Sequence, residues 1–401
     1  MTKQVSPDRV VGRAKLIQHI WKTLDQTSVI FTAERRIGKT TVMKKMVAEP
    51  KGQRIAIYMD LEKVDSPTRF VEVLLAQSCR LLSTKAAIRS WIDGFVKSIG
   101  GSEIAGVIKL PQFKGLEWQP VLEKAISNIC DEQRDCQLVF LFDELPYMLQ
   151  KISVHQKKSG ATDNPALSLL DSLRAMRNEQ SNLRMVFTGS VGLHHVVTEL
   201  RGTEFASQPT NDMQQVEIGP LAAMDAFEFA RTLLIEGDVQ TDAPDLVAQK
   251  IVELTDHVPF YIDKIISRLS LKESIVTVEI VEQEVRSHLS SGNDPWEMEH
   301  FRTRLAIYYS GKIQQGRSAI EMSKVAAFIL DILSTAERPL TINEVFGLLK
   351  SRFTLKDRDI AIRLLSFLEN DHYLTCDDHK RYSFRFPLIK AWWVLAQGLQ
   401  S

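Results

Sequence analysis

The sequence predicts an α/β fold: a parallel sheet flanked by helices, then an all-helical segment, then a small block of helices and strands. Three observations predict it. Apolar strand-like runs alternate with helical stretches through residues 1–210, the pattern of βα units that builds a parallel sheet. After Gly219-Pro220 that signal stops, and residues 222–310 read as helices alone. From Glu321 the order becomes three helices, then two short strands around the polar turn Asp377-Asp378-His379-Lys380.

The strands expected in the first part are Ser28–Thr32, Arg54–Leu61, Leu138–Phe142 and Arg184–Thr188. The last three are rich in Ile, Val, Leu and Phe with little alternation, as strands covered on both faces are. Helices are expected over Pro67–Leu82, Gln119–Asp131 and Pro165–Glu179, with a further one over Thr41–Ala48. The all-helical segment carries Ala223–Leu234, Pro244–Thr255 and Phe260–Leu271. The last block runs Met322–Ser334, Pro339, Ile342–Lys350 and Lys356–Asn370, then strands Tyr373–Cys376 and Tyr382–Phe386, which is the winged-helix order. The expected domains are therefore 1–219, 220–317 and 318–401.

A length of 401 residues fits two or three such domains, and 44% hydrophobic with 25% charged residues is ordinary for a globular chain. Fifty basic residues balance fifty acidic ones, which excludes a globally basic nucleic-acid coat or an acidic tail. No apolar run approaches the roughly 20 residues that span a bilayer, and Met1-Thr2-Lys3-Gln4-Val5-Ser6-Pro7 has no signal-peptide core. Cys79, Cys130, Cys136 and Cys376 form no C-x-x-C pair, so neither a zinc site nor a disulfide framework is expected. A cytoplasmic protein with reduced thiols and no membrane partner is expected.

The sharpest motif is Phe31-Thr32-Ala33-Glu34-Arg35-Arg36-Ile37-Gly38-Lys39-Thr40-Thr41. It follows an apolar strand and opens a helix, the context in which G-x-x-x-x-G-K-[ST] cradles phosphates. Successive backbone N–H groups and the helix N-terminus make a concave anion site. Lys39 would reach the β and γ phosphates, the Thr40 hydroxyl would bind Mg²⁺, and Thr41 would lie near the α phosphate. Alanine replaces the first glycine at Ala33, so the backbone there should avoid positive φ.

The second half of the site is Leu138-Val139-Phe140-Leu141-Phe142-Asp143-Glu144, an apolar strand ending in two carboxylates. It delivers Asp143 to the carboxyl edge of the sheet, where open α/β sheets bind ligands. Asp143 would hold the Mg²⁺ shell, and Glu144 would orient or deprotonate the attacking water. The strand Leu183–Thr188 ends in Gly189-Ser190. Thr188 or Ser190 there either senses the γ phosphate or caps the next helix. No N/T-K-x-D motif is present, which favours ATP over GTP.

Together these residues resemble the archaeal-type ATPases of the STAND branch of AAA+-related P-loop NTPases. Val11-Gly12-Arg13 with Leu16 is similar to that family's N-terminal "GR" box, and the loop carries its twin arginines, Arg35 and Arg36. Asp143-Glu144-Leu145-Pro146 resembles its Walker B run, Thr188-Gly189-Ser190 its sensor strand, and Ile218-Gly219-Pro220-Leu221 the passage into a helical lid. Tyr382 to Leu388 and on through Trp392-Trp393 is like the close of its winged helix. The resemblance implies a P-loop NTPase parallel sheet followed by a helical lid and a winged-helix domain. It also implies Gly12 and Arg13 near the adenine, ATP and Mg²⁺ as cofactors, and an ATP-operated switch. Where the family has Gly-x-Pro in the lid this chain has His257-Val258-Pro259, and Pro259 can still pack near the base. Arg385 is the candidate second sensor, or else a wing-surface arginine.

Other residues carry two readings each. Arg174 and Arg177 are either solvated helix charges or a subunit-bridging arginine finger. Arg35 and Arg36 contact phosphate or a neighbouring carboxylate. The stretch from Asp294 through Trp296, Arg302 and Arg304 to Tyr308-Tyr309 is either inter-domain packing or a switch surface. Residues 318–401 hold eleven Lys and Arg against ten Asp and Glu, a net of +1. That is too little for a groove-reading domain, whose affinity rests on neutralising phosphates. A protein partner or a homo-oligomer is therefore expected. A DNA-dependent ATPase of the origin-recognition or transposition-regulator kind is the alternative, with Lys380-Arg381 on the wing as its contact.

Overall fold

The computed structural model describes residues 10–78, 117–159, 164–189, 192–201, 208–309, 311–315, 318–353 and 355–399. Met1–Pro7, the helix tail expected over 79–82 with Cys79, and Ser190 lie outside them. The chain divides into two compact units, residues 1–33 with 38–218 and residues 34–37 with 219–401.

In the first unit the elements run α1 (Ala14–Leu24), β1 (Val29–Thr32), α2 (Lys39–Ala48), β2 (Arg54–Asp60), α3 (Pro67–Ser78), α4 (Trp118–Glu132) and β3 (Gln137–Asp143). They continue with α5 (Leu145–Ser159), α6 (Pro165–Glu179), β4 (Leu183–Phe187), α7 (Leu193–Arg201) and β5 (Gln214–Glu217). The five strands form a parallel sheet in the order β2-β3-β4-β1-β5. Strand β3 is inside the sheet, and Leu138 to Phe142 have no exposed surface. The Phe142 ring meets Phe70, Phe140 and Phe187 at centroid distances of 5.5, 5.8 and 5.9 Å. Truncating such a side chain to alanine costs about 3–5 kcal/mol, so this cluster fixes where the end of β3 lies.

All four expected strands are present, each within a residue or so of its expected bounds. Strand β5 was not expected from sequence: it reads Gln-Gln-Val-Glu, lies at the sheet edge, and buries only Val216. A two-residue periodicity needs more than one apolar position to show. Helix α6 starts where Asn164 accepts a 3.1 Å bond from the Leu167 N–H and Pro165 supplies the first turn.

The second unit begins with α8 (Ala223–Glu236), α9 (Pro244–Leu254), α10 (Pro259–Leu269), α11 (Val278–Ser290) and α12 (Glu299–Tyr308). Then come the antiparallel pair β6 (Lys312–Gln315) and β7 (Ser318–Glu321), α13 (Met322–Thr335), β8 (Leu340–Thr341), α14 (Ile342–Phe353) and α15 (Arg358–Asn370). Strands β9 (Leu374–Cys376) and β10 (Arg381–Phe384) and helix α16 (Pro387–Gln397) end it, with the sheet order β8-β10-β9. Helix α15 starts two residues later than expected because Asp357 caps it, accepting from the Asp359 N–H at 2.9 Å. Strand β10 ends at Phe384, two residues short of the expected Phe386, and Pro387 opens the next helix. The Trp393 indole donates to Asp331 at 2.8 Å, which pins α16 to α13. Among the described residues no helix is long and apolar enough to cross a membrane.

Candidate functional site

Ala33 to Gly38 connect β1 to α2. Gly38 has φ +103° and is the N-cap of α2; the nearest atom to a Cβ there would be Thr41 Cβ at 3.9 Å. Backbone shape rather than crowding therefore demands glycine. The first N–H groups of α2 have no partner within the helix, and the helix dipole adds a positive end. Lys39, the first residue of α2, is 7% exposed and its Nζ donates to the Ala33 carbonyl at 3.2 Å. The chain thus folds the loop's own lysine back over the span it closes.

Asp143 ends β3 and is buried. Its Oδ2 accepts from the Thr40 hydroxyl at 2.6 Å and from the Tyr58 hydroxyl at 3.0 Å, while Oδ1 accepts from the Glu144 N–H at 3.1 Å. Tyr58 reaches it because β2 and β3 run parallel with Asp60 beside Asp143. Burial, and then the Asp143 charge, push the Tyr58 hydroxyl well above its ordinary range, so it remains a donor. Tyr58 was not expected in the site; only the pairing of β2 with β3 brings its hydroxyl to Asp143.

Glu144 follows at φ +56°, in the left-handed region that costs a non-glycine residue energy. Against it lies Gly189: a Cβ there would come within 2.6 Å of Pro146 Cδ and 3.6 Å of Glu144 Oε2. The end of β4 and the turn after β3 therefore close on each other with no room for a side chain. Thr188 donates its N–H to the Phe142 carbonyl and accepts from the Leu145 N–H, while its buried hydroxyl has no hydrogen-bond partner among the described residues.

Gly12, at φ +69°, and buried Arg13 immediately precede α1, where the Arg13 carbonyl accepts from the Ile17 N–H. Thr41 lies in the first turn of α2.

Residues 34–37 of the loop belong to the second unit. Glu34 is 4% exposed, and Arg304 donates to both its oxygens, at 3.1 and 3.3 Å. Burial opposes the Glu34 charge, but Arg304 and the His300 imidazole, 3.8 Å away, hold the carboxyl below the usual range. Arg36, at φ +70°, pairs with Glu297 and lies 3.8 Å over the Phe260 ring. Of the two readings for the loop arginines, the carboxylate is the partner seen for Arg36. Arg35 approaches the same Glu297 at 3.9 Å. Ile37 is buried, and Pro259 is the first residue of the helix that carries Phe260.

Neither reading of Arg177 fits. Its side chain is buried, donating to both Asp212 oxygens at 2.9 Å and to the Pro209 carbonyl at 2.9 Å. It is a brace inside the first unit. Arg304, placed in a packing or switch stretch from sequence, is a buried ion-pair partner of Glu34 in the loop between β1 and α2. Arg385 contacts His372 Nδ1 at 3.0 Å.

Thr40 and Asp143 offer only hard oxygen donors, the chemistry Mg²⁺ selects, and Gly38 puts no side chain between a phosphate and the backbone. The residues present therefore fit a nucleotide with its magnesium.

Residues 23–197 match the family model described as AAA domain. The Walker-type ATPase of Pyrococcus abyssi superimposes with a TM-score of 0.62 at 15% identity, over 96% of each chain. The ORC2 protein of Aeropyrum pernix, in its ADP form, gives 0.46 at 10% identity, over 98% of this chain and 95% of that one. No curated protein sequence matches. The first likeness shows a shared fold. The parallel sheet with the β1–α2 loop at its carboxyl edge is a P-loop NTPase fold, and the AAA-domain match takes in its strands β1 to β4.

Proposed function

We propose that the chain is an ATP-binding, slowly hydrolysing molecular switch of the archaeal-type STAND kind, in which nucleotide state governs the arrangement of its domains and the binding of a partner. The observation that carries this is the 2.6 Å hydrogen bond from Thr40 to Asp143, which joins the loop hydroxyl to the acidic end of β3. In this reading Gly38 to Thr41 present N–H groups to the phosphates, Lys39 leaves the Ala33 carbonyl for them, and Thr40 and Asp143 hold Mg²⁺. Bound magnesium would supply charge neutralisation on the phosphate oxygens. Glu144 orients the attacking water, with Thr188 and Ser190 as candidate contacts to the γ phosphate. Gly12, Arg13 and Pro259 are the candidate contacts to the base. Residues 220–317 serve as the lid and 318–401 as a winged helix.

The partner is a protein or a second copy, and the setting is cytoplasmic. One observation weighs against DNA contact through the wing: Arg381, of the Lys380-Arg381 pair, is held by Asp377 at 2.8 Å. The test is phosphate release from Mg·ATP. The wild type should turn over slowly, Glu144→Gln should retain ATP without hydrolysing it, and Lys39→Ala should lose nucleotide. Turnover by Glu144→Gln at the wild-type rate would overturn the assignment of the water-orienting group.

A further inference from the structure

We propose that Arg304 is a positioning residue for the phosphate loop: its fork on Glu34 holds the loop in its nucleotide-ready shape, and bound nucleotide in turn tightens helix α12. The inference rests on the ATP-switch reading above.

Burying a carboxylate in mid-loop is costly unless it is paired and fully hydrogen-bonded. Here the pairing is complete. Arg304 is itself 8% exposed and spends its donors on three partners: the Glu34 carboxylate, the Tyr373 hydroxyl at 3.1 Å and the Asp371 carbonyl at 2.8 Å. The Tyr373 hydroxyl in turn donates to the Phe301 carbonyl at 2.5 Å, and Tyr309 donates to the Asp371 carboxylate at 2.8 Å. The guanidinium is thus oriented by groups before β9 and on α12, and has no freedom to follow a moving loop.

The carboxylate is equally constrained on the loop side, because Glu34 Oε1 also accepts from the Arg35 N–H at 2.7 Å. That bond uses an N–H near the start of the loop. Two residues on, the Arg36 side chain is drawn to Glu297 and Phe260. Both anchors therefore hold the loop through its side chains. Such a loop is bound in advance to one shape, and the affinity of a ligand that needs that shape falls in proportion to the fraction of time the shape is held.

The experiment compares the full chain with Arg304→Met, Arg304→Lys and the double variant Glu34→Gln with Arg304→Met. It measures Mg·ADP affinity, KM and kcat for ATP, and thermal unfolding. Arg304→Met strands a buried carboxylate and should be less stable; the double variant removes both charges and should recover most of that stability. The expected result is that both bind nucleotide about ten-fold or more weakly, with KM raised in step and kcat within about two-fold of wild type. Arg304→Lys, which keeps the charge but loses the fork, should fall between. A double variant with wild-type stability and wild-type affinity would overturn the proposal and leave the pair a purely structural brace. Should the variants fold poorly, amide exchange of the wild type decides. Mg·ADP should slow exchange in 299–308, and unchanged exchange there with nucleotide bound would overturn the proposal. A wild type that binds no nucleotide at all would instead sink the ATP-switch reading.

Discussion

Thr40 and Asp143 are joined by a 2.6 Å hydrogen bond across 103 residues of sequence, with Tyr58 donating to the same Asp143 oxygen from β2. Three elements thus converge on one carboxylate. Asp143→Asn should abolish Mg²⁺-dependent ATP binding while leaving the fold intact, checked by titrating Mg²⁺ at fixed nucleotide. Tyr58→Phe removes one donor only, and should weaken Mg²⁺ dependence by a few-fold.

Glu144→Gln keeps the shape of the turn after β3, including its left-handed backbone, and removes the carboxylate. Hydrolysis should fall by about 10²–10⁴-fold, the range for losing a positioned proton acceptor. Nucleotide affinity should stay near wild type. Single-turnover phosphate release, with binding measured in parallel, separates the two.

Gly189→Ala should harm both stability and turnover. Its added methyl would sit 2.6 Å from Pro146 Cδ, so the turn carrying Glu144 must move. Overpacking of this kind costs about 1–3 kcal/mol. Chemical unfolding and kcat should fall together; an alanine variant with normal kcat would show that the Glu144 turn tolerates displacement.

Asp256 supplies a pH signature. Its carboxylate accepts the Leu388 N–H at the start of α16 at 2.7 Å, and burial pushes its pKa up to about 6 despite that bond, against 3.8 for an ordinary aspartate. Because the folded value is the higher one, the folded state holds the proton more tightly. Its contribution is complete below about pH 4 and is lost as pH rises through about 6. Asp256→Asn keeps an acceptor for Leu388 and removes the ionisation penalty. It should raise stability by about 1–3 kcal/mol at pH 8 and change little at pH 4, read from unfolding curves at both pH values.

Arg177 distinguishes a brace from a finger. Arg177→Met takes away the donor that Arg177 gives Asp212 and the Pro209 carbonyl, leaving Asp212 only Arg174 at 3.9 Å, and should destabilise the chain by about 1–3 kcal/mol. Turnover per folded molecule should be unchanged. A selective loss of kcat with normal stability would restore the finger.

The parts legible in the sequence were those with a local signature. The run Leu138–Phe142 is apolar at every position, and the Gly38-Lys39-Thr40 spacing follows a strand, so both were placed from residues alone. Helix α6 is expected over Pro165–Glu179 and is found over the same residues. What escaped had no local signature. Strand β5 is three-quarters polar because it lies at the edge, and Tyr58 enters the site only through the β2–β3 register. The Glu34–Arg304 pair spans 270 residues, and no spacing rule links a loop carboxylate to an arginine on a distant helix. The same holds for Arg177, whose solvated-helix reading failed because Asp212 comes from a different segment of the chain.

The most direct test of the account is a calorimetric titration of Mg·ATP into the full chain and into Lys39→Ala. One site per chain is expected in the wild type and at least a ten-fold weaker one in the variant, because Lys39 leaves the Ala33 carbonyl to meet phosphate. Equal affinity in the two, or no heat in the wild type, would contradict it.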